Sequence, residues 1–191
     1  MEVFKIIDKA IVKNIDLQKF NFSHLNYMYD YNTGIFYKET ETKIDVLSYG
    51  FNYDYRDNDP ISISHENFVP WITFKNVEKI LNFVLYNLYE TKQITNAHNF
   101  YVNNQKTLFI DEPMINEDAF IYELYKDKQY LEQNILKSTE SAEILIKNHF
   151  FSFFENFSTL QDINDKIIEK YEWQQWNKFF LRTTILKLLS Y

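Results

Sequence analysis

The chain has no cysteine, only two glycines, three prolines and two arginines among its 191 residues. Without cysteine it forms no disulfide, thiolate metal site, iron–sulfur cluster or thiol nucleophile, and it suits a reducing compartment. The two glycines, Gly34 and Gly50, are far apart in the chain. A P-loop, a GxGxxG dinucleotide turn and a GxSxG nucleophile elbow each need clustered glycines, so none can be built. No run of about 18 apolar residues occurs, and charges interrupt the apolar N-terminal stretch. The expectation is a soluble, cytoplasmic protein with no membrane association.

Negative charge is abundant and uneven. The formal net charge is −7. Residues 38–66 hold seven acids against three bases, and residues 111–123 hold five acids and no base. Such blocks repel a phosphate backbone or an anionic membrane, and no lysine or arginine cluster compensates, so no nucleic-acid partner is expected. Aromatics make up 19% of the chain. Their number fits AT-rich coding as well as function, as does the excess of lysine over arginine.

The stretch from Lys43 to Leu88 organises the rest. Lys43 to Tyr55 alternates in the manner of a strand, with Ile44, Val46, Tyr49, Phe51, Tyr53 and Tyr55 as its apolar and aromatic positions. Ile61–His65 and Val69–Phe74 predict two more strands, with Pro70 placing the second at an edge or at its first paired residue. Asn76 is the expected cap of a helix whose stripe is Val77, Ile80, Leu81, Val84, Leu85 and Leu88. An opening helix over residues 2–15 presents Phe4, Ile7, Ile11 and Ile15. Residues 16–32 read as loop with a short turn or strand at Leu25–Tyr29, Asn32-Thr-Gly34 as a turn, and Ile35–Lys38 as a strand start. Phe100–Val102 and Thr107–Ile110 suggest a hairpin.

Beyond Pro113 there is neither proline nor glycine. Asn116 is expected to cap a helix running to about Leu136, and Ser138 to cap the next, whose apolar series runs from Ala142 to Phe157. Ser158-Thr-Leu-Gln161 has the form of a capping box. A last helix, residues 172–190, carries Trp173, Trp176, Phe179, Phe180, Leu186 and Leu189, a spacing that favours core over a binding stripe. The fold class is therefore α+β. A small antiparallel or mixed sheet of about four strands is packed by helices, with a helical C-terminal half. It forms one domain, 1–191, divided into helix, sheet and helix over 1–110 and a helical annex over 111–191.

No catalytic motif emerges. His65-Glu66 lacks the second histidine of a zinc-protease helix, and the four histidines are scattered. His149 falls on the apolar stripe of its helix and reads as a satisfied, partly buried residue. Asp54, Asp57 and Asp59 resemble the start of a calcium loop, but the sixth-position glycine is missing and Pro60 intervenes. No metal, cofactor or catalytic residue is assigned. What stands out is a tyrosine-rich acidic turn, Tyr53, Asp54, Tyr55, Arg56, Asp57 and Asp59, together with Asp111, Glu112, Glu117 and Asp118. Tyrosine and arginine anchor interfaces, and acids steer basic partners. The expectation is a non-enzymatic protein-binding module, of the kind an immunity-type inhibitor of a basic toxin or other cationic protein would be. Alternatives are a small-molecule-binding or hydrolytic domain with an aromatic-lined pocket between sheet and helices, and a structural or phage-type subunit. Monomer and homodimer are left open.

Overall fold

The computed structural model describes residues 2–28, 33–52, 61–86, 107–109, 118–125, 128–163, 184–185 and 187–189. Helix α1 (Glu2–Asn14) is followed by β1 (Ser23–Met28), β2 (Thr33–Glu39), β3 (Lys43–Gly50), β4 (Ile61–Ser64) and β5 (Phe68–Phe74). Helix α2 (Lys75–Tyr86), β6 (Leu108–Phe109) and β7 (Ile121–Tyr125) come next. A long helical run then comprises α3 (Lys128–Leu145), a π segment (Ile146–Phe150) and α4 (Phe151–Asn156).

Strands β1, β2, β3, β5 and β6 form an antiparallel sheet in that order, and β4 pairs antiparallel with β7 in a separate ribbon. The expected α+β architecture is present, with the chain turning helical towards its C-terminal side. The register explains which residues share a face. His24 lies opposite Phe36, Phe36 opposite Leu47, Gly34 opposite Tyr49, and Tyr49 opposite Phe68. This face meets the helices. Ile7, Ile11 and Ile15 of and after α1 join Phe36, Leu47, Tyr49, Phe68, Ile72 and Phe74 in one buried cluster. Val77 and Leu81 of α2 and the series Ala142, Leu145, Ile146, Phe150, Phe153, Phe154 and Phe157 close it. Each such apolar side chain contributes about 1.5–3 kcal/mol by leaving water. The opposite face of the sheet is buried too, around Ile35, Ile44, Val46 and Trp71. Strand β3 is therefore covered on both sides rather than half-buried, and its lysine, aspartate and serine are buried with it.

Four local expectations are corrected. Gly34 is a strand residue rather than a turn residue, and its backbone is not left-handed. Its role is spatial, as set out below. The helix expected from Asn116 to Leu136 is interrupted by β7. Tyr122 and Leu124 turn inward while Ile121 (72% exposed) and Glu123 face solvent, so period-two alternation in a β-branched and aromatic run prevails over helical spacing. Ser138 does not begin a helix. It lies buried inside α3, and its hydroxyl donates to the Ile135 carbonyl at 2.9 Å, the back-bonding open to a mid-helix serine. The capping box falls one residue later than expected. Thr159 Oγ1 accepts from the Asp162 amide at 3.2 Å, and Asp162 Oδ2 accepts from the Thr159 amide at 2.8 Å.

Other details follow the pattern with small shifts. Helix α2 begins at Lys75, so Asn76 lies in its first turn. Pro70 sits one residue beyond the two pairs that β5 makes with β6, where among the described residues β3 alone flanks the strand. That is the setting in which a missing N–H is tolerated. Of the proposed hairpin only 107–109 is described, and Leu108 and Phe109 pair with β5. Trp173, Trp176, Phe179, Phe180 and Leu186 lie outside the described residues, while Leu189 is exposed. No described helix is long and apolar enough to cross a membrane.

Candidate functional site

Of the residues singled out in the sequence, Tyr53, Asp54, Tyr55, Arg56, Asp57, Asp59, Asp111, Glu112 and Glu117 lie outside the described residues. Asp118 is described. Its Oδ2 accepts from His149 Nε2 at 2.8 Å and from Asn148 Nδ2 at 3.0 Å. The hydrogen bond from Asn148, then that from His149, holds the Asp118 carboxyl below its ordinary 3.8. His149 is thus a satisfied, half-buried residue, as its place on the stripe predicts.

The fold pairs two strands that each follow an acidic stretch of the chain. Residues 53–60 lead directly into β4 and residues 111–117 lead towards β7, and these two strands pair from Ile61↔Tyr125 to Ser64↔Ile121. The His65 amide donates to the Phe120 carbonyl at 3.1 Å, which extends the association. Around this ribbon Glu66 and Glu123 are exposed. Not every acid of the first block is available. Glu39 Oε1 pairs with Lys75 Nζ at 2.6 Å, and Asp45 is buried with its Oδ1 2.8 Å from Lys43 Nζ. Lys43 Nζ also donates to the carbonyls of Phe154 (3.0 Å) and Phe157 (3.2 Å) at the end of α4. A cation is favoured there by the helix dipole. Burial raises the Asp45 carboxyl, and Lys43 opposes the rise.

A second constellation lies between α1 and the sheet. Tyr49 on β3 points across β2 at the position of Gly34. Only because that residue lacks a side chain can the ring pass. An added Cβ would sit 2.6 Å from Tyr49 Cε1 and closer still to Cζ and the hydroxyl. The hydroxyl so reaches β1, two strands away, where it lies 2.9 Å from His24 Nε2, and it donates to Asp8 Oδ1 of α1. His24 Nε2 and Asp8 Oδ1 are 3.8 Å apart. Tyr49 is wholly buried, and Phe36 and Phe68 pack beside it. Burial raises the Asp8 carboxyl, opposed by the Tyr49 hydrogen bond and by His24. Burial also lowers the His24 imidazole, opposed by Asp8. Burial thus opposes the charged form of both groups, while their proximity and the Tyr49 hydrogen bond favour it.

The sequence held two signals for this trio. Asp8 adjoins the apolar stripe of α1, one residue after Ile7 and three before Ile11, and His24 alternates with Phe22. His24 lies just before the short turn or strand expected at Leu25–Tyr29, and the observed strand begins two residues earlier, at Ser23. Among the described residues no three of His, Asp and Glu converge as metal ligands. The chain matches no protein-family model, and comparisons with curated proteins and with solved structures find no similar protein.

Proposed function

We propose that the protein is a non-enzymatic binding module that captures a basic protein partner through an acidic, tyrosine-rich surface, in the manner of an immunity-type inhibitor. The observation that carries this reading is the pairing of β4 with β7. It joins the strand that follows residues 53–60 in the chain to the strand that follows residues 111–117, in a ribbon that exposes Glu66, Glu123 and Ile121. Acids grouped around an exposed apolar residue would accelerate encounter with a cationic surface and fix its orientation.

Zero-length carbodiimide coupling in the source cell's lysate tests the proposal, because it joins carboxylates directly to lysines. The expected result is one basic protein joined through residues 54–59 and 111–118. Coupling should be lost in an Asp54→Asn/Asp57→Asn/Asp59→Asn variant, and the affinity of the purified pair should weaken as salt rises. Recovery of acidic proteins only, or of none, refutes the reading.

One observation favours a second reading, a small-molecule-binding or hydrolytic domain: the convergence of an acid, a tyrosine and a histidine between α1 and the sheet. Asp8→Asn separates the two readings. It leaves partner capture intact and abolishes any small-molecule binding or turnover.

A further inference from the structure

The trio Asp8, Tyr49 and His24 has a property that is independent of partner capture. A carboxylate only accepts hydrogen bonds, a tyrosine carries one hydroxyl proton, and a neutral imidazole carries one N–H. With Asp8 ionised, the Tyr49 proton is committed to Asp8 Oδ1, so the phenolic oxygen accepts from His24 Nε2–H. The ring is then the Nε2–H tautomer, and among the described residues nothing hydrogen-bonds its Nδ1. With Asp8 protonated, the same contacts run the other way. The carboxylic acid donates to Tyr49, Tyr49 donates to Nε2, and the ring proton sits on Nδ1. Both directions keep both hydrogen bonds without displacing a heavy atom.

We propose that Asp8, Tyr49 and His24 form a single-proton switch, in which uptake of one proton reverses the hydrogen-bond chain and converts His24 from its Nε2–H to its Nδ1–H tautomer. The proton from water binds Nδ1. The Nε2 proton passes to the Tyr49 oxygen, and the original Tyr49 proton passes to Asp8 Oδ1. Three N–H or O–H bonds form and two break, so the trio gains one proton and its charge goes from −1 to zero.

Burial selects this route. An imidazolium beside a carboxylate would place two charges in a desolvated site, whereas the reversed chain holds none. The titratable groups facing the site are Asp8 from α1, His24 from β1 and Tyr49 from β3, while β2 offers Gly34 and Phe36 and β5 offers Phe68. Among the described residues no further charged group shifts Asp8 or His24. The His24 side chain is 17% exposed, enough to exchange protons with solvent. Its Nδ1 is an acceptor above the transition and a donor below it. Burial raises the Asp8 carboxyl and lowers the His24 imidazole, which draws the two titrations towards each other.

Long-range proton–nitrogen NMR of the histidine side chains tests this on the full chain, with His65, His98 and His149 replaced by glutamine to isolate His24. The expected spectrum is a neutral Nε2–H ring above the transition and a neutral Nδ1–H ring below it. Asp8→Asn should abolish the exchange of tautomers, and Tyr49→Phe should let His24 pass directly to imidazolium. Should Tyr49→Phe fail to fold, the parent spectra alone still decide. An Nε2–H ring in the parent that converts straight to imidazolium, or that stays unchanged while Asp8 titrates, overturns the proposal.

Discussion

Substituting Gly34 by alanine is the sharpest test of how β1, β2, β3 and α1 are joined. In an ordinary strand the change is mild and tends to stabilise, by up to about 1 kcal/mol, because alanine loses less backbone freedom on folding. Here the added carbon would lie 2.6 Å from Tyr49 Cε1 and closer to two further ring atoms, so the ring must leave its place. Overpacking of that kind costs about 1–3 kcal/mol. Moving the ring also withdraws the hydroxyl from Asp8 and His24, and a buried polar group left unpaired costs about 1–3 kcal/mol more. The expected destabilisation is about 3–5 kcal/mol, a large share of the roughly 5–15 kcal/mol that a domain has in total. Urea denaturation measures it, and for a chain of this size Tm should fall by about 10 °C. The cost should shrink greatly in a Tyr49→Leu background, because the atoms that clash are gone. A Gly34→Ala variant within about 0.5 kcal/mol of the parent, or equal costs in the two backgrounds, refutes the reasoning.

Three further outcomes follow from the polar contacts. Lys43→Met strips the buried Asp45 carboxylate and two helix-end carbonyls of their cation, and should cost about 3–5 kcal/mol in urea denaturation at neutral pH. The cost should lessen as pH falls and Asp45 takes up a proton, and Lys43→Met combined with Asp45→Leu should recover most of it. Asp118→Asn should lower Tm at neutral pH and leave it unchanged at the acid end of a Tm-against-pH profile. A carboxyl held below 3.8 in the folded chain contributes stability above that value and loses it as pH falls through its folded pKa, so the parent and variant curves should be offset above about pH 4 and converge below it. Thr159→Ala should cost about 1 kcal/mol, whereas Ser158→Ala should stay within about 0.5, because Thr159 occupies the capping position.

Segments whose period matched their environment were legible in the sequence. The stripe Ile7, Ile11, Ile15, the two strands at 61–64 and 68–74, and the series Ala142 to Phe157 all appear where spacing puts them. Errors arose where two signals competed. At 120–125, Phe120 and Leu124 suit a helix while Ile121, Tyr122 and Tyr125 suit a strand, and pairing with β4 decided the matter. At Gly34, the usual association of glycine with turns concealed a need for empty space beside the Tyr49 ring, fifteen residues further along the chain. The sequence marks Asp8 and His24 singly, but not their convergence on Tyr49, because the three come from elements whose register no local pattern specifies. The acidic blocks were visible at once, but the pairing of Glu39 with Lys75 and the burial of Asp45 depend on tertiary contacts.

Lys43 also constrains the order of assembly during synthesis. Its ammonium is neutralised within β3 by Asp45 but is coordinated in full only by carbonyls 111 and 114 positions further along. At about 5–20 residues per second, a ribosome needs on the order of ten seconds to supply them. During that interval the central strand carries a hydrated ammonium where the mature interior is dry. A nascent chain stopped short of Phe157 would hold an unsealed sheet, open to premature association or to a chaperone.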